Sequence, residues 1–239
     1  VATHNYYTSI FVAEKQGGAW ANGTELPSPP NDPKTHVGNA VFSADENTIV
    51  FTKCDQTPLK VMQCKLYKSV KEGNDWSNAE ELKALNKEEF STTQPAWGKD
   101  KDGNTILYFA SNRGKGGDFD LYYAKLNSDG TFETPQRLGN EINTAGDDLT
   151  PYYNAKTNTL YFSSTGHPGM GGLDVFKAVG TPGNFGEVRN LGIPTNSGAD
   201  DLYYALDETA NKGFMVSNRE GTTSQRGATC CDDIWGVTI

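Results

Sequence analysis

A chain of 239 residues that is 36% hydrophobic and 11% aromatic, with 26 Gly and 11 Pro, can bury a core but keeps breaking its apolar runs with turns. Its 30 acidic against 21 basic residues leave a formal charge of −9, which argues against phosphate-neutralising nucleic-acid surfaces and basic docking on anionic lipid. No run approaches the ~18 apolar residues of a membrane-spanning helix, and the opening Val1-Ala2-Thr3-His4 shows no signal peptide and no Met, so the chain is expected to lie within a longer precursor.

Along the chain, five segments align: Ser9-Ile-Phe-Val-Ala, Lys65-Leu-Tyr-Lys-Ser, Asp120-Leu-Tyr-Tyr-Ala, Asp174-Val-Phe-Lys-Ala and Asp233-Ile-Trp-Gly-Val. Their starts lie 56, 55, 54 and 59 positions apart. Trp20, Trp76, Phe132 and Phe185 follow with the same period, and so do Leu26, Leu82, Leu138 and Leu191. Upstream of these segments come short apolar runs: Ile49-Val50-Phe51, Leu107-Tyr108-Phe109, Leu160-Tyr161-Phe162 and Phe214-Met215-Val216. Before each of those stands another strand candidate: Ala40-Val41-Phe42, Pro95-Ala96-Trp97, Pro151-Tyr152-Tyr153 and Leu202-Tyr203-Tyr204. Turn signals such as Asp102-Gly103 and Asp129-Gly130 separate them.

Each repeat therefore holds four short antiparallel strands, here termed a to d, and four strands per long repeat is the pattern of a propeller blade. The expectation is an all-β, β-propeller domain over 1–239. It has a partial blade at 1–35, complete blades at 36–90, 91–145 and 146–197, and a partial blade at 198–239. Strand a should be innermost and strand d outermost. Both partial ends contain a strand c, so the chain reads as a fragment of a larger ring.

The cysteines fall in two places. Cys54 closes strand b and Cys64 opens strand c of one hairpin, so a disulfide there is expected. Cys230 and Cys231 are neighbours, with Cα atoms ~3.8 Å apart, below the usual ~4.4 Å of a disulfide. A strained bond and two free thiols stay equally open. The even count leans toward an oxidising compartment, against a reducing one with four thiols.

Most catalytic signatures are missing. There is no Gly-x-Ser-x-Gly and no Cys-x-x-Cys, and His4, His36 and His167 lack ligand spacing. No metal or cofactor is expected. Asp100-Lys101-Asp102-Gly103-Asn104 reads as a hairpin turn rather than a calcium loop. Arg113 is expected to meet Asp118 or Asp120, and Arg219 to meet Asp232 or Asp233, as ties between strands b and c. The pairs Asp147-Asp148 and Asp200-Asp201 stand where strand d hands over to strand a. Neighbours on an extended chain point to opposite faces, so a capped turn or a partner-facing rim is favoured over a glycosidase carboxylate pair. The b–c loops are long and varied, which marks their face as the binding face. Asp147, Asp148, Asp200 and Asp201 would line its inner rim, with Arg113, His167 and Arg219 further out.

The stretch from Ser111-Asn112-Arg113 to Asp120-Leu121-Tyr122, with Ser217-Asn218-Arg219, resembles the repeat of TolB-type, WD-like periplasmic propellers. It is closer still to the propeller region of Bacteroidetes outer-membrane proteins of the OmpA family, and Cys230-Cys231-Asp232-Asp233-Ile234-Trp235 resembles their closing unit. Repeat 36–90 departs from the pattern, with Lys53-Cys54-Asp55 and Lys65. The resemblance implies a six-bladed ring in the periplasm, associated with the outer membrane. It also implies partners among envelope proteins or peptidoglycan, in a secretion or anchoring assembly. On that reading the chain is a non-enzymatic interaction scaffold. The alternative is a carbohydrate-active propeller enzyme using carboxylates on the loop-bearing face.

Overall fold

The structure, a computed structural model, describes residues 7–207, 211–223 and 232–238. Cys230 and Cys231 lie outside the described residues. The described residues hold strands and turns and no helix, and the chain divides into two compact units, Val1–Pro95 and Ala96–Ile239. The architecture is that of β-propeller blades: separate antiparallel sheets whose strands follow in chain order.

In the first unit, Phe11–Val12 pairs with Thr24–Glu25, and Lys15–Gln16 with Ala19–Trp20. A full blade follows from His36–Phe42, Thr48–Gln56 and Met62–Glu72. Its core gathers Val37, Ile49 and Phe51 against Leu26, Tyr67 and Trp76. Cys54 stands opposite Cys64 across strands b and c, and a disulfide joins them.

The second unit carries three sheets. Strand Thr92–Lys99 enters it from the first unit and starts a sheet continued by Thr105–Ser111, Asp120–Lys125 and Gln136–Arg137. The next is Asp148–Asn154, Thr159–Ser164 and Asp174–Thr181, and the last Asp201–Leu206, Lys212–Ser217 and Asp233–Thr238. Ile106, Leu107, Tyr108, Phe109 and Ala110 are all 0% exposed, although successive side chains face opposite ways. Both faces of that strand must then be covered. The strands Asp148–Asn154 and Asp201–Leu206 supply such cover, each packing on the preceding sheet.

Strand d is where the expectation of a full fourth strand fails. It shrinks to two-residue pieces such as Glu80–Glu81, Gln136–Arg137 and Arg189–Asn190. The reason is a side chain that does the work of a strand. Asn143 Oδ1 accepts the Leu121 N–H (2.7 Å), and its Nδ2 donates to the carbonyls of Leu121 and Leu138 (3.0 Å each). Asn196 does the same to Val175, Asn86 to Leu66 and Asn31 to Ile10. These asparagines lie 55, 57 and 53 residues apart. The Leu ladder serves the same point: Leu26, Leu82, Leu138 and Leu191 donate their N–H to Ile10, Leu66, Leu121 and Val175.

A second recurring device sits in strand a. Its register slips between Gly38 and Val41, between Leu149 and Tyr152, and between Leu202 and Ala205. At each slip a non-glycine residue takes a left-handed backbone: Asn39 (φ 47°), Thr150 (φ 49°) and Tyr203 (φ 51°). Gln94 (φ 55°) occupies the same place in its repeat. These are β-bulges that re-aim the strand.

Replacing Asn143 by Ala leaves one buried N–H and two carbonyls short of a partner, and should cost about 3 kcal/mol in urea unfolding. A loss below about 1 kcal/mol would mean that water replaces the clamp. Opening the Cys54–Cys64 bond by serine substitution at both positions should cost roughly 2–3 kcal/mol by the loop-entropy argument, read as a lower midpoint at unchanged denaturant slope.

Candidate functional site

The four expected rim aspartates all lie in the second unit, at the loop-bearing end of two successive blades. Asp148 opens strand a opposite Ser164, where strand b ends, and Asp201 does so opposite Ser217. The two blades repeat one hydrogen-bond pattern. Asp147 Oδ1 accepts the Phe119 N–H (2.8 Å), and Asp200 Oδ1 accepts that of Leu173 (2.9 Å). The Asp147 N–H donates to Thr165 Oγ1, and the Asp200 N–H to Asn218 Oδ1. Asp148 Oδ2 takes the N–H and hydroxyl of Thr144, and Asp201 Oδ2 takes those of Ser197.

Adjacency separates the pairs as the extended chain requires. Asp148 and Asp201 are 0% exposed, while Asp147 and Asp200 are half-exposed. The buried two shape the loop, and only the outer two can touch a ligand. Burial pushes the Asp148 carboxyl above its ordinary value, although Ser164, Thr144 and His167 pull the other way.

The arginines do not make the ties expected of them. Arg219 pairs with Asp201 (2.5 Å), not Asp232 or Asp233, and also donates to the Pro194 and Thr195 carbonyls and lies over the Trp235 ring. The Asp200-Asp201 connection returns closer to the arginine than strand c does, which sequence spacing hides. Arg113 stacks over Phe109 and Tyr122 and donates to Ser111 Oγ. Burial lowers its pKa. Asp120 is instead gripped by Arg137 through two bonds of 2.6 and 2.8 Å, the fork geometry of a strong pair. Arg137 was not singled out from the sequence, although it immediately precedes the ladder residue Leu138.

His167 fills the place of the arginine in its blade. Its Nε2 lies 2.9 Å from the Ile142 carbonyl, the counterpart of the Thr195 carbonyl that Arg219 binds, and its ring packs on Phe162 and Phe176. The structure thus gathers Asp147, Asp148 and His167 at one blade and Asp200, Asp201 and Arg219 at the next. Arg113 belongs to the blade before them.

Among the described residues no cluster of three or more His, Cys, Asp or Glu could hold a metal ion. A pocket of about 360 Å³ opens at the opposite end of the same strands, around Tyr152, Asn154, Lys156 and Asp207. Its walls are committed to the hairpins there: Tyr152 donates to the Leu206 carbonyl, and Asn154 caps the turn at Lys156.

No family model matches the chain, and no curated protein matches it. Solved structures do. A xylan β-1,4-xylosidase from Bacillus halodurans shares 11% identity at a TM-score of 0.58, over 90% of this chain and 45% of its own. An α-L-arabinanase from Penicillium chrysogenum, complexed with arabinobiose, shares 16% at 0.54, over 95% of this chain and 66% of its own. An endo-arabinase from Bacteroides thetaiotaomicron shares 16% at 0.52, over 86% and 74%. Identities this low establish the fold. They also correct the resemblance to OmpA-family outer-membrane propellers, since no family model or curated relative stands behind it and the matching propellers are named as arabinanases and a xylosidase. The non-enzymatic scaffold drew on that resemblance and is withdrawn with it.

The raised Asp148 carboxyl has a pH consequence. The folded state holds that proton more tightly than the unfolded chain, so the contribution to stability is full below the ordinary carboxylate value. It is lost as pH rises through the raised one. Asp148→Asn should remove this decline in thermal melts taken from about pH 3 to 8. Parallel profiles for variant and wild type would contradict the raised carboxyl.

Proposed function

We propose that the chain is the propeller of a carbohydrate-active enzyme that cleaves glycosidic bonds in plant-type polysaccharides such as arabinan or xylan. The observation that carries this reading is the blade architecture shared, over 86–95% of the chain, with propellers named as arabinanases and a xylosidase. The rim supports it. Glycoside hydrolysis needs two carboxyl groups flanking the bond, one to protonate the leaving oxygen and one to act as base or nucleophile. Asp147 and Asp200 are half-exposed carboxylates at the same position of successive blades, and they are the pair proposed to meet the glycan. Asp148 and Asp201, buried behind them, act as positioning residues through Thr144 and Ser197.

The ring completed by further blades is proposed to be six-bladed. The Cys54–Cys64 disulfide favours an oxidising compartment, outside the cytosol.

The test is reducing-sugar release from arabinan and xylan by the wild-type chain and by Asp147→Asn and Asp200→Asn. Release by the wild type and a fall of about 100-fold or more in either variant is expected, as for the loss of a general acid or base. A wild-type chain silent on both polymers, or two variants of undiminished rate, would overturn the assignment.

A further inference from the structure

Tyr203 is a residue in the wrong backbone for its side chain. Its φ of 51° lies in the left-handed region, which Asn and Gly enter readily and bulky residues avoid. The bulge that demands this conformation is a property of the blade, because Asn39, Gln94 and Thr150 adopt it at the equivalent positions. The bulge thus accepts side chains of very different size, and an aromatic ring is no requirement of the geometry. Tyr203 also stands outside the strand ladder, which pairs Leu202 and then Ala205 with the neighbouring strand. Its ring does not set the strand register.

Its counterpart Thr150 shows what a structural occupant looks like. Thr150 is 4% exposed, and its hydroxyl donates to Ser163 Oγ at 3.0 Å. Tyr203 is 38% exposed, on the strand that Asp201 opens, two residues from Asp201 and three from the half-exposed Asp200. Strain of this kind persists only where the surroundings enforce it, and it gathers at binding sites. A bulge beside a site is a known means of aiming one side chain.

From this geometry we infer that Tyr203 is a substrate-stacking residue, which lays its phenol ring against the apolar face of a sugar unit held beside Asp200. The ligand class is a neutral pyranose or furanose chain, whose C–H face packs on an aromatic ring while its hydroxyls stay free for polar groups. This rests on the glycan reading above and gives it a specificity-determining contact.

The experiment compares the wild type with Tyr203→Asn and Tyr203→Phe, reading melting temperature and the affinity for arabino- and xylo-oligosaccharides by calorimetry. Asn is the residue found at position 39, so the bulge accepts it. Tyr203→Asn should melt at or above the wild-type temperature yet bind its oligosaccharide about tenfold more weakly, the size of one aromatic contact. Tyr203→Phe keeps the ring and should bind within about twofold of wild type, a difference too small to represent a lost contact. Wild-type affinity in Tyr203→Asn overturns the inference and leaves the glycan reading standing. So does an equal loss in Tyr203→Phe. A clear drop in melting temperature in Tyr203→Asn would make the ring structural and overturn it too. A wild-type chain that binds neither oligosaccharide series sinks the glycan reading itself, and this inference with it, an outcome distinguished by the missing wild-type signal.

Discussion

The amide side chain that clamps strand c is the contact on which each blade depends. In Asn143 and Asn196 a single buried carboxamide accepts the N–H and donates to the C=O of one residue, Leu121 or Val175. That is the pair of bonds a neighbouring strand would make at one ladder position. The same carbonyl accepts a second bond from the backbone of Leu138 or Leu191, so both of its lone pairs are used. With this position satisfied, the outer strand need not be long. The blade ends in two-residue pieces, and a short outer strand offers little template for pairing with another chain.

Much of this was legible in the residues, and the failures follow from chemistry that spacing cannot express. Strands b and c were readable because they are apolar on both faces, as at Ile106 to Ala110, and such runs survive any uncertainty about which face is inward. The Leu ladder was visible, but its meaning was not: the work of Leu138 is done by its backbone N–H as well as its buried side chain. The asparagine ladder has the same period and went unnoticed, because Asn in a turn-rich stretch reads as a turn former. The bulge has no sequence signature at all, since Asn39, Gln94, Thr150 and Tyr203 share only a backbone angle. Arg219 was singled out correctly as a tie, but which carboxylate it reaches depends on how the connection before strand a returns, and that path is not encoded locally.

The blade that departs from the pattern shows how one job passes between residue types. Where other repeats place Ser and Asp on strands b and c, residues 36–90 place Lys53 and Lys65 opposite each other. Lys65 donates to the carbonyls of Lys87, Glu88 and Phe90, and Lys53 pairs with Asp32 at 2.9 Å. Elsewhere a carboxylate gathers loop N–H groups, as Asp174 gathers those of Met170 and Gly171. Here an ammonium gathers loop carbonyls. The charge is reversed and the loop is held all the same, which explains why the Ser-Asn-Arg pattern could lapse without loss of the blade.

The rim in turn inherits its geometry from these ties. Asp147 and Asp200 keep one oxygen on the backbone of Phe119 and Leu173, so each half-exposed carboxylate is fixed to the start of strand c in the blade before it. A carboxylate held in this way loses little freedom when it meets a ligand, which is the condition under which positioned charge is effective. The same tie makes the position structural. A change to Asn at Asp147 keeps an oxygen for the Phe119 N–H and removes the charge, whereas a change to Ala removes both. The difference between those two substitutions separates what the rim does for the fold from what it does to a bound molecule.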